Sequence, residues 1–127
     1  MPEFVTIAQA LRLHQRQIAR YGGEPGVRDM GLLESALAMP MQGFGGQYLH
    51  ETIPEMAGAY LFHICCNHPF MDGNKRVATG VAILFLQANG INVHFDHDEL
   101  IAFVLAVASG QASKDDASAF FRRHIPG

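Results

Sequence analysis

The chain has 127 residues, 49% of them hydrophobic and 17% charged, a globular balance that predicts a single domain over residues 1–127. A formal net charge of −3 without any block of Lys or Arg argues against direct nucleic-acid binding by phosphate neutralisation. Met1-Pro2-Glu3-Phe4 has no signal-peptide character, and Val77 to Leu86, interrupted by Gly80, is far short of the roughly 20 apolar residues a membrane span needs.

The adjacent pair Cys65-Cys66 cannot form an ordinary bridge, which fits a reducing, cytoplasmic setting. Thr6-Ile7-Ala8-Gln9 is a capping-box pattern, and Ile7, Leu11, His14, Ile18 and Tyr21 then recur at helical spacing. Gly22-Gly23 stops that helix and Pro25-Gly26 turns the chain. Asp29 caps a short second helix carrying Leu32, Leu33, Ala36 and Leu37, which ends before Pro40. From Met41 to His50, Gly43, Gly45 and Gly46 interleave with Phe44 and Tyr48, so helix is disfavoured and a short hairpin flap is expected. Its aromatics either stand exposed for a partner or tuck onto the core.

Thr52-Ile53-Pro54-Glu55 is a second capping box, opening a helix that ends near Asn67-His68-Pro69. After a loop from His68 to Gly73, a helix from about Asn74 to Asn89 is apolar almost all round and should be the central buried one. Ile91 to Phe95 is extended, Asp96-His97-Asp98-Glu99 caps a fifth helix to Ser109, and Ser113 caps a last one to about His124. The fold class is all-α: a bundle of about six helices around a central buried helix, with a small β-hairpin flap.

Chemistry concentrates between His68 and Arg76. The first turn of a helix presents unpaired N–H groups and the positive end of the dipole, an anion site. Gly73 allows a phosphate to approach the backbone, and Asn74 can fix the loop through its own side chain. Lys75 and Arg76 place two cations in that turn, where each is disfavoured by roughly 0.3–1 kcal/mol unless a polyanion is bound. Solvation, or pairing with Asp72, is the plainer explanation. Asp72 suits either a helix cap or a Mg²⁺ ligand. His68, at a helix end across the same loop, is suited to accept a proton from an attacking hydroxyl, although a single His is more often structural. Pro69 stiffens the loop, and Phe70 points inward as its anchor. Neither His63, Cys65, Cys66 and His68 nor His94, Asp96, His97 and Asp98 has the paired spacing of a zinc site.

His68-Pro-Phe-Met-Asp-Gly-Asn-Lys-Arg76 matches the signature H-P-F-x-x-G-N-x-R of the Fic/Doc family at every fixed position. Arg20-Tyr21-Gly22-Gly23, Pro25-Gly26, Gly31-Leu32-Leu33-Glu34, Leu84-Phe85-Leu86 and Asn89-Gly90 resemble the Doc (death-on-curing) branch, so the resemblance covers most of the chain. It implies a Fic-type bundle with ATP and Mg²⁺ as cofactors. His68 would be the general base and Asp72 the Mg²⁺ ligand. Asn74, Lys75 and Arg76 would bind phosphate, helped by the backbone of Gly73 and more distantly by Arg20. The flap residues Gly43, Phe44, Gly45, Gly46 and Tyr48 would align a target segment as an added strand.

Lys75 stands where most Fic enzymes have a glycine and transfer AMP. Doc toxins share the lysine, which implies transfer of the γ-phosphate to a threonine of elongation factor Tu and arrest of translation. A long cation there removes part of the backbone cradle and adds a point charge, so the nucleotide would present its terminal phosphate. The inhibitory pattern S/T-x-x-x-E-G/N does not occur in the sequence, which implies a separate antitoxin of the Phd type. AMP transfer and a silent binding module are the alternatives; intact His68, Asp72 and Arg76 argue against the latter.

Overall fold

A computed structural model describes residues 1–126; Gly127, the last residue of the expected domain, lies outside the described residues. Six α-helices follow in chain order: α1 (Ile7–Tyr21), α2 (Met30–Ala38), α3 (Ile53–Asn67), α4 (Asn74–Ala88), α5 (His97–Ala108) and α6 (Lys114–His124). The two-stranded antiparallel hairpin, β1 (Gly43–Phe44) and β2 (Gln47–Tyr48), lies between α2 and α3. The architecture is the all-α bundle with a small flap that the sequence predicts. No described helix is long and apolar enough to cross a membrane.

Local chemistry sets the helix ends. Thr6 and Gln9 form a reciprocal capping box, and α1 stops at Gly22, whose φ of 83° suits glycine. The expected second box is only half made. Thr52 Oγ1 accepts from Glu55 N–H, but the Glu55 carboxylate reaches one residue further back, to Glu51 N–H. After α2 the chain tightens into a 3-10 turn over Met39–Met41, which Pro40 tolerates because it is placed where no N–H is required.

The hairpin turns through Gly45 and Gly46, both at positive φ, and pairs Gly43 with Tyr48 and Phe44 with Gln47. Paired residues share a face, which resolves the flap's two aromatics. Phe44 is 94% exposed, whereas Tyr48 packs edge-on against Phe4, which in turn stacks on Phe85 of α4.

From Val77 to Leu86 no residue of α4 is exposed, as expected of a central helix. It shares that place with α3, which packs against α2, α4, α5 and α6. Gly58 makes the α3–α6 contact possible: a Cβ there would lie 2.8 Å from the Ser118 backbone nitrogen. Phe95 and Phe103 stack on Phe120 and complete the α6 side of the core. Cys65 is buried, its thiol pushed up to about 12 by burial, but Cys66 is exposed rather than packed inside, one helical step around α3.

His50, His63, Lys114 and Glu55 gather where the hairpin exit, α3 and the start of α6 meet. His63 Nε2 lies 3.4 Å from Lys114 Nζ, and burial first, then the charges of Lys114 and His50, lower its pKa to about 4. His50 is lowered for the same leading reason, partly offset by Glu55. An unfolded imidazole takes its proton near 6.5 and the folded His63 only near 4, so the unfolded chain binds more protons between those values. Stability should therefore fall as pH drops through this window. The melting temperature of the wild type should fall relative to that of His63→Gln as pH drops through it; parallel curves would mean that His63 stays solvated.

Candidate active site

Helix α3 ends at Asn67, and His68 follows as its C-cap in the left-handed conformation, φ 48° and ψ 55°. The loop to Gly73 doubles back against the turn before α2. Pro69 O accepts from both Arg28 N–H and Asp29 N–H at 2.8 and 3.0 Å, Met71 N–H donates to Gly26 O, and Val27 and Phe70 form an antiparallel bridge. Phe70 is buried, with its ring stacked on His14 at 4.0 Å between centroids. Asn74 closes the loop from the helix side: its Oδ1 accepts from Phe70 N–H at 2.9 Å and its Nδ2 donates to Phe70 O at 3.1 Å.

Asp72 is held from three directions. Its Oδ1 accepts from Gly73 N–H at 2.9 Å and its Oδ2 from Glu24 N–H at 3.3 Å. Its carbonyl lies 2.9 Å from His14 Nε2; a carbonyl only accepts, so that nitrogen carries the proton and donates. Gly23 lies beside it at φ 115°, a conformation that favours glycine, and a Cβ there would come within 2.9 Å of Asp72 Oδ2.

The start of α4 is left open. Gly73 caps it without a side chain, whereas the other five α-helices each have a side-chain N-cap bond. Among the described residues no acceptor meets the N–H groups of Asn74, Lys75 or Arg76. Lys75 and Arg76 are exposed, and neither is paired with a carboxylate; the one salt bridge among the described residues joins His124 to Glu99. The pairing of these cations with Asp72 that the sequence left open is thus not made. The end of α1 comes alongside, where Arg76 lies 4.5 Å and Arg20 5.4 Å from the centre of the Tyr21 ring.

The structure thus brings His68, Asp72, Gly73, Lys75 and Arg76 onto one loop and helix start, with Arg20 beside them through Tyr21. Asn74, expected among the phosphate binders, is there too, but its side chain is occupied by Phe70 and only its N–H lacks an acceptor. No hydrogen bond or aromatic contact among the described residues joins the flap, Gly43 to Tyr48, to this loop. The imidazole of His68 is exposed and has no hydrogen-bond partner among the described residues. Sequence reasoning missed His14, Gly23 and Arg28 as supports of the site. His14 carried a faint signal as the polar member of α1's buried stripe. No described group of three or more His, Cys, Asp or Glu residues could hold a metal ion alone.

An open helix N-terminus with unpaired cations, a fixed carboxylate and a free imidazole has the chemistry of a phosphate-transfer site. Comparison with known proteins agrees. The model of the Fic/DOC family matches residues 4–86. The chain is 33% identical over 115 residues to "Protein kinase doc" of Escherichia phage P1, covering 91% of this chain and 90% of that protein. It is 40% identical over 78 residues to "Toxin Doc" of Mycolicibacterium smegmatis, 61% of this chain and 60% of that one. The chain belongs to the Fic/DOC family. The family and these relatives agree with the phosphotransferase expected from the motif.

Proposed function

We propose that this protein is a cytoplasmic toxin that transfers the γ-phosphate of ATP to a protein hydroxyl, a threonine of elongation factor Tu, and so halts translation. An antitoxin of the Phd type holds it in check. The single observation that carries the reading is the open start of α4, where three N–H groups without acceptors meet two unpaired cations beside Asp72 and His68. The relatives named as a kinase and a toxin support the same assignment.

The N–H groups of Asn74, Lys75 and Arg76 bind phosphate oxygens, and the side chains of Lys75, Arg76 and Arg20 balance their charge. Asp72 fits a Mg²⁺ ligand. Each of its oxygens already accepts one backbone N–H, which fixes the carboxylate and leaves lone pairs, and Mg²⁺ needs only one or two protein carboxylates when phosphates supply the rest. ATP would supply the phosphoryl group, and Mg²⁺ held by Asp72 would offset the charge of its phosphates. His68 accepts the proton of the target hydroxyl as that oxygen bonds to the γ-phosphorus and the bond to ADP breaks. The hairpin, with Phe44 fully out in solvent, offers its edge to the target segment as an added strand.

Intact-mass analysis of elongation factor Tu after incubation with the protein, ATP and Mg²⁺ tests this directly. Addition of about 80 Da means phosphate. A gain of about 329 Da would instead mean AMP transfer and overturn the orientation inferred from Lys75. No gain would remove elongation factor Tu as the target.

A further inference from the structure

Arg28 lies outside the motif, forty residues before it, yet its guanidinium binds two successive carbonyls there: Nε donates to His68 O at 2.6 Å and Nη2 to Asn67 O at 2.8 Å. These carbonyls belong to the two peptide planes on either side of the His68 Cα. Holding both planes fixes φ and ψ of His68 together, and with them the direction in which the imidazole leaves the backbone. We propose that Arg28 is a positioning residue for His68; the inference rests on the assignment of His68 as general base.

The backbone of His68 needs such a restraint. It is the one non-glycine residue at positive φ among the described residues, a conformation that costs roughly 1–2 kcal/mol. Pro69 follows it, and a residue before proline is driven toward extended geometry. The helix itself holds His68 loosely, through one long bond of 3.3 Å from His68 N–H to Ile64 O. Two preferences therefore pull the catalytic histidine toward an extended backbone. Arg28 opposes both, and it sits where a cation is favoured, at carbonyls left unpaired by the end of α3.

Arg28 is itself anchored. Its own N–H and that of Asp29 bind Pro69 O, so Arg28 and Asp29 together hold three carbonyls in a row, while Asp29 Oδ1 caps α2. None of these bonds reaches Asp72 or the N–H groups at the start of α4. Loss of Arg28 should thus disturb the base and spare the phosphate site. A lysine can replace the charge but not the planar fork that makes two bonds at once.

The test uses Arg28→Lys and Arg28→Gln in the full chain, with His68→Ala as the reference. Transfer in single turnover, KM for ATP, melting temperature and the NMR ring signals of His68 are measured for each. Expected are a kcat lowered by about 10²-fold in both variants, the cost of a misplacement near 1 Å, with KM for ATP and melting temperature close to wild type. The His68 ring signals should move in both. Unmoved His68 signals would overturn the proposal whatever reaction the protein performs. A loss of kcat that merely follows a loss of folded protein or of ATP binding would overturn it as well. Moved signals in the variants, with a wild type that transfers nothing, would instead place the failure in the proposed function and leave the positioning role standing.

Discussion

Replacing His68 with alanine is expected to lower transfer by about 10²–10⁴-fold, the range of a lost general base. Stability should hardly change. The side chain is exposed and unbonded, and alanine inherits the same left-handed backbone with the same penalty. Single-turnover transfer measured beside a thermal melt separates the two effects. Retained transfer would remove the base assignment. A collapse of the melt would show that the imidazole is structural after all.

Asn74→Ala should produce the largest loss of stability around the site. Phe70 is 1% exposed, so its N–H and carbonyl cannot turn to water once the Asn74 amide is gone. Each group left unpaired costs about 1–3 kcal/mol. At about 4 °C per kcal/mol, the melting temperature should drop by on the order of 10 °C. Transfer should fail too, because the loop carrying His68 and Asp72 is closed by those two bonds. Asn74→Asp separates the roles. It keeps an acceptor for Phe70 N–H and places a carboxylate at a helix start, so more stability survives. ATP binding should still be lost by repulsion from the new charge. An unchanged melt in Asn74→Ala would mean that Arg28, Asp29 and Gly26 hold the loop without it.

Most of the architecture was legible because it is locally determined. Thr6, Asp29, Thr52, Asp96 and Ser113 each accept a bond from a residue three positions on, so every one of these caps is contained in four residues of sequence. The Gly45-Gly46 turn is similarly short-range. Phosphate chemistry was readable for the same reason, since His68 to Arg76 brings imidazole, carboxylate and helix start into nine residues. Asn74 fixes the loop through its side chain, as the sequence suggested, but its partner Phe70, and with it the loss of that side chain for phosphate, became evident only in the structure.

What the sequence alone determined, then, was the set of helices, the flap and the position of the candidate loop. Tertiary structure decided how that loop is held. His14 donates to Asp72 across 58 positions, Arg28 reaches Asn67 and His68 across about forty, and Tyr21 gathers Arg20 and Arg76 only because α1 ends beside the start of α4. The physical reason is that caps and turns are satisfied within one helical turn, whereas the carbonyls of a helix end and a strained backbone take their partners from whatever element the packing brings past them.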